Sequence, residues 1–417
     1  MKIYLLKIFN HQIFLPHYAF IILVLLVSEG MHIFIRYVAG IDWFGKRHFA
    51  LMQFCVIFGT LFVCHGRKKI FSRRHVVNIS LCSLLVVFFV LYEGLFYGVI
   101  DLFFILDLYA IVLASMVMVE YSKKNHIVDA FFCIFVVVSI VSLVVILKLF
   151  VDYGFALIGF LSLSDVKRLT HLWFVNSFAY SCAFGILCGC VSWSRGAMVQ
   201  KHDMRWKCIY FVTLVFPLMY LLLSKSKGGL ALTFIGAAML YLRARAFIAL
   251  AGIAAVMSLF YHDFLVDTFV KMMMLGRTAP QGEMVNKAFS MVTSRFGASY
   301  FRQSPIDFLI NHPFGVGTSM AWAATYAVPG KDVVIKNHSL LLILIDSCGV
   351  PAVLSILFVV VRGFCTIRPR LYFLLGLSML AIPVTVVNEP SLAYAIPLVI
   401  IMSRQTFVNY GFSKRWT

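Results

Sequence analysis

Acidic side chains are scarce in this chain. Its 417 residues hold 17 Asp and Glu against 36 Lys and Arg, and charged residues make up only 13% of it. No Asp-x-Asp step occurs, and acids such as Asp263, Asp267, Glu283, Asp307 and Asp332 are scattered. The expectation is therefore no metal and no other cofactor. HExxH, GxSxG and a glycine-rich nucleotide loop are all missing, so zincin, serine-hydrolase and P-loop chemistries lack their residues. No repeat and no low-complexity segment is visible. The ten cysteines contain no CxxC pair and no disulfide framework. Cys188 and Cys190 stand two apart on one apolar segment and face different ways, so the set reads as buried free thiols.

What the chain has instead is apolar length. Hydrophobic residues are 62% of it and the mean hydropathy is +0.94, above the roughly 45–50% of a soluble domain. Runs long enough to cross a bilayer as helices fall near 17–35, 48–65, 76–98, 102–120, 127–149, 173–193, 208–223, 229–242, 246–261, 338–361, 371–388 and 391–408. The expected fold is all-α, a polytopic transmembrane bundle of about 12 spans. Residues 1–261 would hold spans one to nine. Residues 262–337 would form one long external loop with amphipathic helices around Phe289–Phe301 and Ile306–Asn311. Residues 338–417 would hold the last three spans and a tail. Lys2 and Lys7 precede the first run, and no small-residue cleavage site follows, which predicts an uncleaved span.

Orientation follows from Lys and Arg in the short loops. Loops 66–75, 120–126, 194–207, 243–245 and 362–370 and the tail are all basic, which places both termini in the cytoplasm. The net charge of +19 is larger than that signal needs. A second set of cations falls on the outer side: Arg168, Lys225, Lys227, Arg295, Arg302 and others of the long loop. The plain reading is a solvated loop surface. That reading is weakest for Arg168, Lys225 and Lys227, which stand at helix ends in short loops. Cations held at a membrane surface suit an anionic headgroup, and a pyrophosphate fits guanidinium and ammonium donors.

Three stretches, with a weaker fourth at 168–184, carry a resemblance. His338 and Ser339 are followed by nine residues and then Gly349, with Ala352 three further on. SRFGASYFRQSPIDFLINHPFGVGTSMAW (294–322) places Arg295 and Arg302 ahead of a turn with Pro313, Gly315 and Gly317. LLLSKSKGGLALTF (221–234) carries Lys227, and RLTHLWFVNSFAYSCAF (168–184) carries Arg168 and Asn176. In this order the features resemble the O-antigen ligase and polymerase superfamily, membrane glycosyltransferases that use polyprenyl-pyrophosphate-linked glycans. The match departs from the family at Ala352, where Gly, Thr or Tyr is usual, and at Lys227, where Arg is usual.

The resemblance implies an O-antigen ligase of a bacterial inner membrane, working on the periplasmic face in lipopolysaccharide biosynthesis. Its partners would be an undecaprenyl-pyrophosphate-linked glycan donor and a lipid A-core acceptor, with no nucleic acid. His338 is the base candidate; a helix N-terminus favours the neutral imidazole that such a role needs. Arg295, Arg302, Lys227, Arg168 and Lys225 are the pyrophosphate-binding candidates. Arg295 and Arg302, seven apart, share a helix face. Asn337 and Glu389 are possible orienting residues, and a plain turn role is the alternative for Glu389. Asp346, within an apolar run, reads as a structurally paired acid. The rivals are an O-antigen polymerase, joining lipid-linked repeat units by the same chemistry, and a glycolipid flippase. The missing repeat and the absence of matched broken spans speak against the flippase.

Overall fold

The computed structural model describes residues 4–8, 11–15, 127–154, 175–195, 204–224, 226–241, 305–317, 326–327, 334–335 and 340–366, with scattered positions at 40–95 and 246–256. The chain forms two compact units. The first takes Met1–Ile70, Leu106–Leu242 and Pro390–Thr417; the second takes Phe71–Ile105 and Arg243–Glu389.

Four helices build the first unit: α1 (Ile127–Tyr153), α2 (Val175–Arg195), α3 (Met204–Ser224) and α4 (Lys227–Tyr241). They coincide with the runs expected at 127–149, 173–193, 208–223 and 229–242. α1 has 27 residues, about 40 Å of helix, and neither Gly nor Pro interrupts it. Its buried positions Phe131, Phe135, Val138, Ser142, Val145 and Leu149 recur every three or four residues and line one face. Ile140, Leu147 and Val151 on other faces are more than half exposed. The buried hydroxyls of Ser139 and Ser142 donate back to the carbonyls of Phe135 and Val138, both at 2.7 Å, so neither is stranded. Lys148 and Asp152 pair at 2.7 Å near the C-terminal end. The helix closes where the Gly154 N–H donates to the Phe150 carbonyl at 2.8 Å, a one-bond C-terminal cap.

α2 is the centre of this unit and packs against α1, α3 and α4. Every residue from Phe178 to Gly189 is buried, as expected of a helix that is apolar or small on all sides. Across from α1 it presents Cys182, Gly185 and Gly189. The Cys182 sulfur lies 3.3 Å from the Ser142 hydroxyl. A Cβ on Gly185 would lie 2.7 Å from Val138 Cγ1, and one on Gly189 would lie 2.8 Å from the Phe135 ring. The residue pairs 142/182, 138/185 and 135/189 run in opposite directions, so the two helices are antiparallel. Small residues here let the axes approach closely.

Tyr210 of α3 closes one end of the seam. Its hydroxyl meets that of Ser192 at 2.8 Å, and its ring packs on Phe132, Phe135 and Trp193 at 4.9–5.7 Å. Near the other end, Tyr220 packs edge-on to Phe178 at 4.7 Å. α3 continues through Pro217.

Two of the described helical segments are long and apolar enough to cross a membrane: Phe131–Asp152, 22 residues, and Lys207–Ser224, 18 residues. The runs expected at 17–35, 102–120, 371–388 and 391–408 lie outside the described residues. So does the loop helix expected around Phe289–Phe301. Strand enters as two short antiparallel ribbons. β1 (Tyr4–Ile8) pairs with β2 (His11–Leu15), with Ile8 opposite His11, and β3 (Tyr326–Ala327) pairs with β4 (Val334–Ile335).

In the second unit, α5 (Pro305–Asn311) is followed by a turn, and α6 (Leu340–Cys348) is followed by α7 (Val350–Thr366). α5 is the short loop helix expected at Ile306–Asn311. The apolar run expected as one span over 338–361 is two helices, divided at Gly349, whose φ is +62°.

Candidate functional site

Two of the stretches singled out in the sequence meet in the second unit. The turn after α5 lies against the joint between α6 and α7, and backbone groups hold them together. The Val316 N–H donates to the Asp346 carbonyl at 2.8 Å, the Gly317 N–H to the Ser347 carbonyl at 3.2 Å, and the Val350 N–H to the Pro313 carbonyl at 2.8 Å.

The local sequence explains why the chain divides here. In an unbroken helix Asp346 would accept from Val350, and Ser347 would accept from residue 351. That residue is Pro351, which has no N–H to give. Division at Gly349 therefore leaves the Asp346 and Ser347 carbonyls and the Val350 N–H to be satisfied. The turn returns two donors, Val316 and Gly317, and one acceptor, Pro313. Gly349 serves both helices. Its N–H donates to Ile345 at 2.6 Å to close α6, and its carbonyl accepts from Ala352 at 3.1 Å to open α7. Pro351 then sits in the first turn of α7, where a missing N–H does no harm.

The fit leaves no room for a side chain at two positions. A Cβ on Gly315, φ +78°, would collide with the Ser347 carbonyl, and one on Gly349 would collide with the Pro313 carbonyl and the Gly315 nitrogen. Within the turn, the Gly315 N–H donates to His312 at 2.9 Å, and the His312 N–H donates to Phe308 at 2.7 Å. Phe314 packs against Phe88 and Tyr92 at 6.3 and 6.1 Å. Asp346 is 4% exposed. The Ser347 hydroxyl is buried and finds no hydrogen-bond partner among the described residues.

The first unit holds the other described piece, the step from α3 to α4. Ser226 is buried and caps α4: its hydroxyl accepts from the Gly229 N–H at 3.4 Å and its carbonyl accepts from Leu230 at 2.9 Å. The Ser224 hydroxyl turns back to the Leu221 carbonyl at 3.2 Å. Lys227 is the first residue of α4, and no acid occupies that first turn. A Cβ on Gly229 would lie 3.1 Å from the Ala179 carbonyl of α2, so the start of α4 is pressed onto α2.

Of the predicted site residues, Lys227 opens α4 and Asn176 lies in the first turn of α2. His338, Asn337, Arg295, Arg302, Arg168, Lys225 and Glu389 lie outside the described residues. Pro313, Gly315, Gly317 and Gly349 are described, and they meet. The sequence reading passed over Pro351 and Ser226. Pro351, two residues after a glycine, was a usable sign of a helix start, and Ser226 before Lys-Gly-Gly was a usable cap signal. No group of three or more metal-binding side chains occurs among the described residues. No protein-family model matches the chain, and no match is found among curated proteins or solved structures.

Proposed function

We propose that this protein is an inner-membrane glycosyltransferase of the O-antigen ligase type, moving a glycan from undecaprenyl pyrophosphate to lipid A-core on the periplasmic face. The observation that carries the reading is the meeting of 313–317 with Gly349. Both are among the stretches that carry the resemblance, and their glycines are positions at which the backbones touch. Helices of membrane-crossing length support the setting.

In this reading His338 takes the proton of the acceptor hydroxyl as that oxygen attacks the anomeric carbon. The bond to the pyrophosphate oxygen breaks, and the polyprenyl pyrophosphate leaves with the electron pair. Arg295, Arg302, Arg168, Lys225 and Lys227 neutralise charge on the leaving group. A basic residue at the first position of α4 opposes the helix dipole, and a bound anion reconciles the two.

His338→Ala is the test. Loss of a general base lowers the rate roughly 100-fold or more, so surface lipopolysaccharide should lose long O-antigen while protein levels hold. Full-length O-antigen at normal protein levels would refute the assignment. A deletion strain separates ligase from polymerase: core with no O-antigen indicates the ligase, core with a single repeat unit the polymerase. The break at Gly349 gives the flippase reading one feature it needs. Transfer by purified protein from a lipid-linked donor decides between enzyme and carrier.

A further inference from the structure

The joint between α6 and α7 is held from outside its own helices. A broken helix ordinarily leaves its end groups to water or to side chains. Here the three groups discussed above are taken by the backbone of one turn, 30 residues earlier in the chain for the pairs 316/346 and 317/347. Backbone-to-backbone contact fixes position more tightly than side-chain packing, because no rotamer can move aside. The Cβ collisions at Gly315 and Gly349 show that the fit is closed on both sides.

We propose that residues 312–317 and 346–350 form a latch that fixes the α6 rod, and that Gly315 and Gly349 are positioning residues for the group at its far end. α6 has nine residues, about 12 Å from first to last. It is anchored at its C-terminal end. A tilt of about 10° at the latch moves the other end by about 2 Å, and a displacement of about 1 Å at a reacting group lowers a rate roughly 100-fold. Two residues ahead of the described start of α6 stands His338. The positioning role rests on the glycosyl-transfer reading; the latch itself does not.

Amide hydrogen exchange on the full-length protein in lipid nanodiscs tests the latch, and transfer kinetics test what it positions. In the native protein, amides at 316, 317 and 350 and along α6 should be slow to exchange. Gly315→Ala drives a methyl into the Ser347 carbonyl. It should speed exchange along 340–350 by about 10-fold or more, since backbone bonds and a left-handed turn are lost together. Peptides of α1–α4 should be unchanged. With that loss, kcat falls roughly 100-fold while KM for the lipid-linked donor stays within about threefold, because donor-binding cations are not on the latch. Val316→Ala keeps the backbone donor and should match the native protein in both readouts.

If Gly315→Ala does not accumulate, Val350→Pro removes the N–H given to Pro313 and sets a ring carbon against that carbonyl, at a helix position that itself tolerates proline; the same two changes are expected. Unchanged exchange along α6 in these variants overturns the latch. Faster exchange with an unchanged kcat overturns the positioning role. A native protein that protects these amides and transfers no glycan removes the glycosyl-transfer reading and the positioning role with it, while the exchange result still upholds the latch.

Discussion

The seam between α1 and α2 and the joint between α6 and α7 both depend on glycine, and for different reasons. At the seam, Gly185 and Gly189 make room for the side chains of Val138 and Phe135. Their neighbours are methyls and a ring, which yield by small shifts. At the joint, Gly315 and Gly349 make room for carbonyl oxygens already committed to hydrogen bonds. Nothing there can move without breaking a bond. The seam is therefore built for adhesion between helices, and the joint for fixed position. A protein that must hold a reacting group steady needs the second kind of contact near it, whereas the first kind serves elsewhere.

Gly349→Ala against Gly185→Ala is the sharpest way to break that comparison. Alanine at Gly349 meets two penalties: a left-handed backbone, about 1–2 kcal/mol, and a collision relieved only by losing hydrogen bonds at about 1 kcal/mol each. The expected loss is about 3 kcal/mol or more in sum. Thermal unfolding of the detergent-solubilised protein, followed by the fraction that stays monodisperse, reads it. Alanine at Gly185 overpacks Val138, at about 1–3 kcal/mol, and recovers about 1 kcal/mol of helix propensity. A small net loss of stability is expected. Equal losses of stability in the two variants would erase the distinction.

The same contrast explains what was legible in the sequence. α1 to α4 were legible because each is a sustained apolar run of 15 to 27 residues, and hydropathy averages over such lengths. The turn at Pro313, Gly315 and Gly317 was legible because proline and glycine punctuate chains locally. The division at Gly349 was not. Apolar residues continue on both sides of it, and a hydropathy window does not register one glycine. Pro351, with no N–H for the Ser347 carbonyl, was the one local sign; the Pro313 carbonyl that takes the Val350 N–H arrives from far along the chain. The α1–α2 contacts were hidden for a similar reason: nothing in the order of residues pairs Val138 with Gly185. The candidate cations were read from charge placement and from the resemblance, and of them the described residues include Lys227, at the first position of α4.

A last test stays within the seam, at its hydroxyl pair. Tyr210→Phe removes the 2.8 Å contact with Ser192 and leaves the ring among Phe132, Phe135 and Trp193. The Ser192 hydroxyl still donates to the Gly189 carbonyl at 3.0 Å, so no buried donor is stranded. The expected loss is about 1 kcal/mol, that of one neutral hydrogen bond, seen as a small drop in unfolding temperature. A loss several times larger would mean that this end of the seam is fixed by its polar contact, as the joint is, and that adhesion by packing does not describe it.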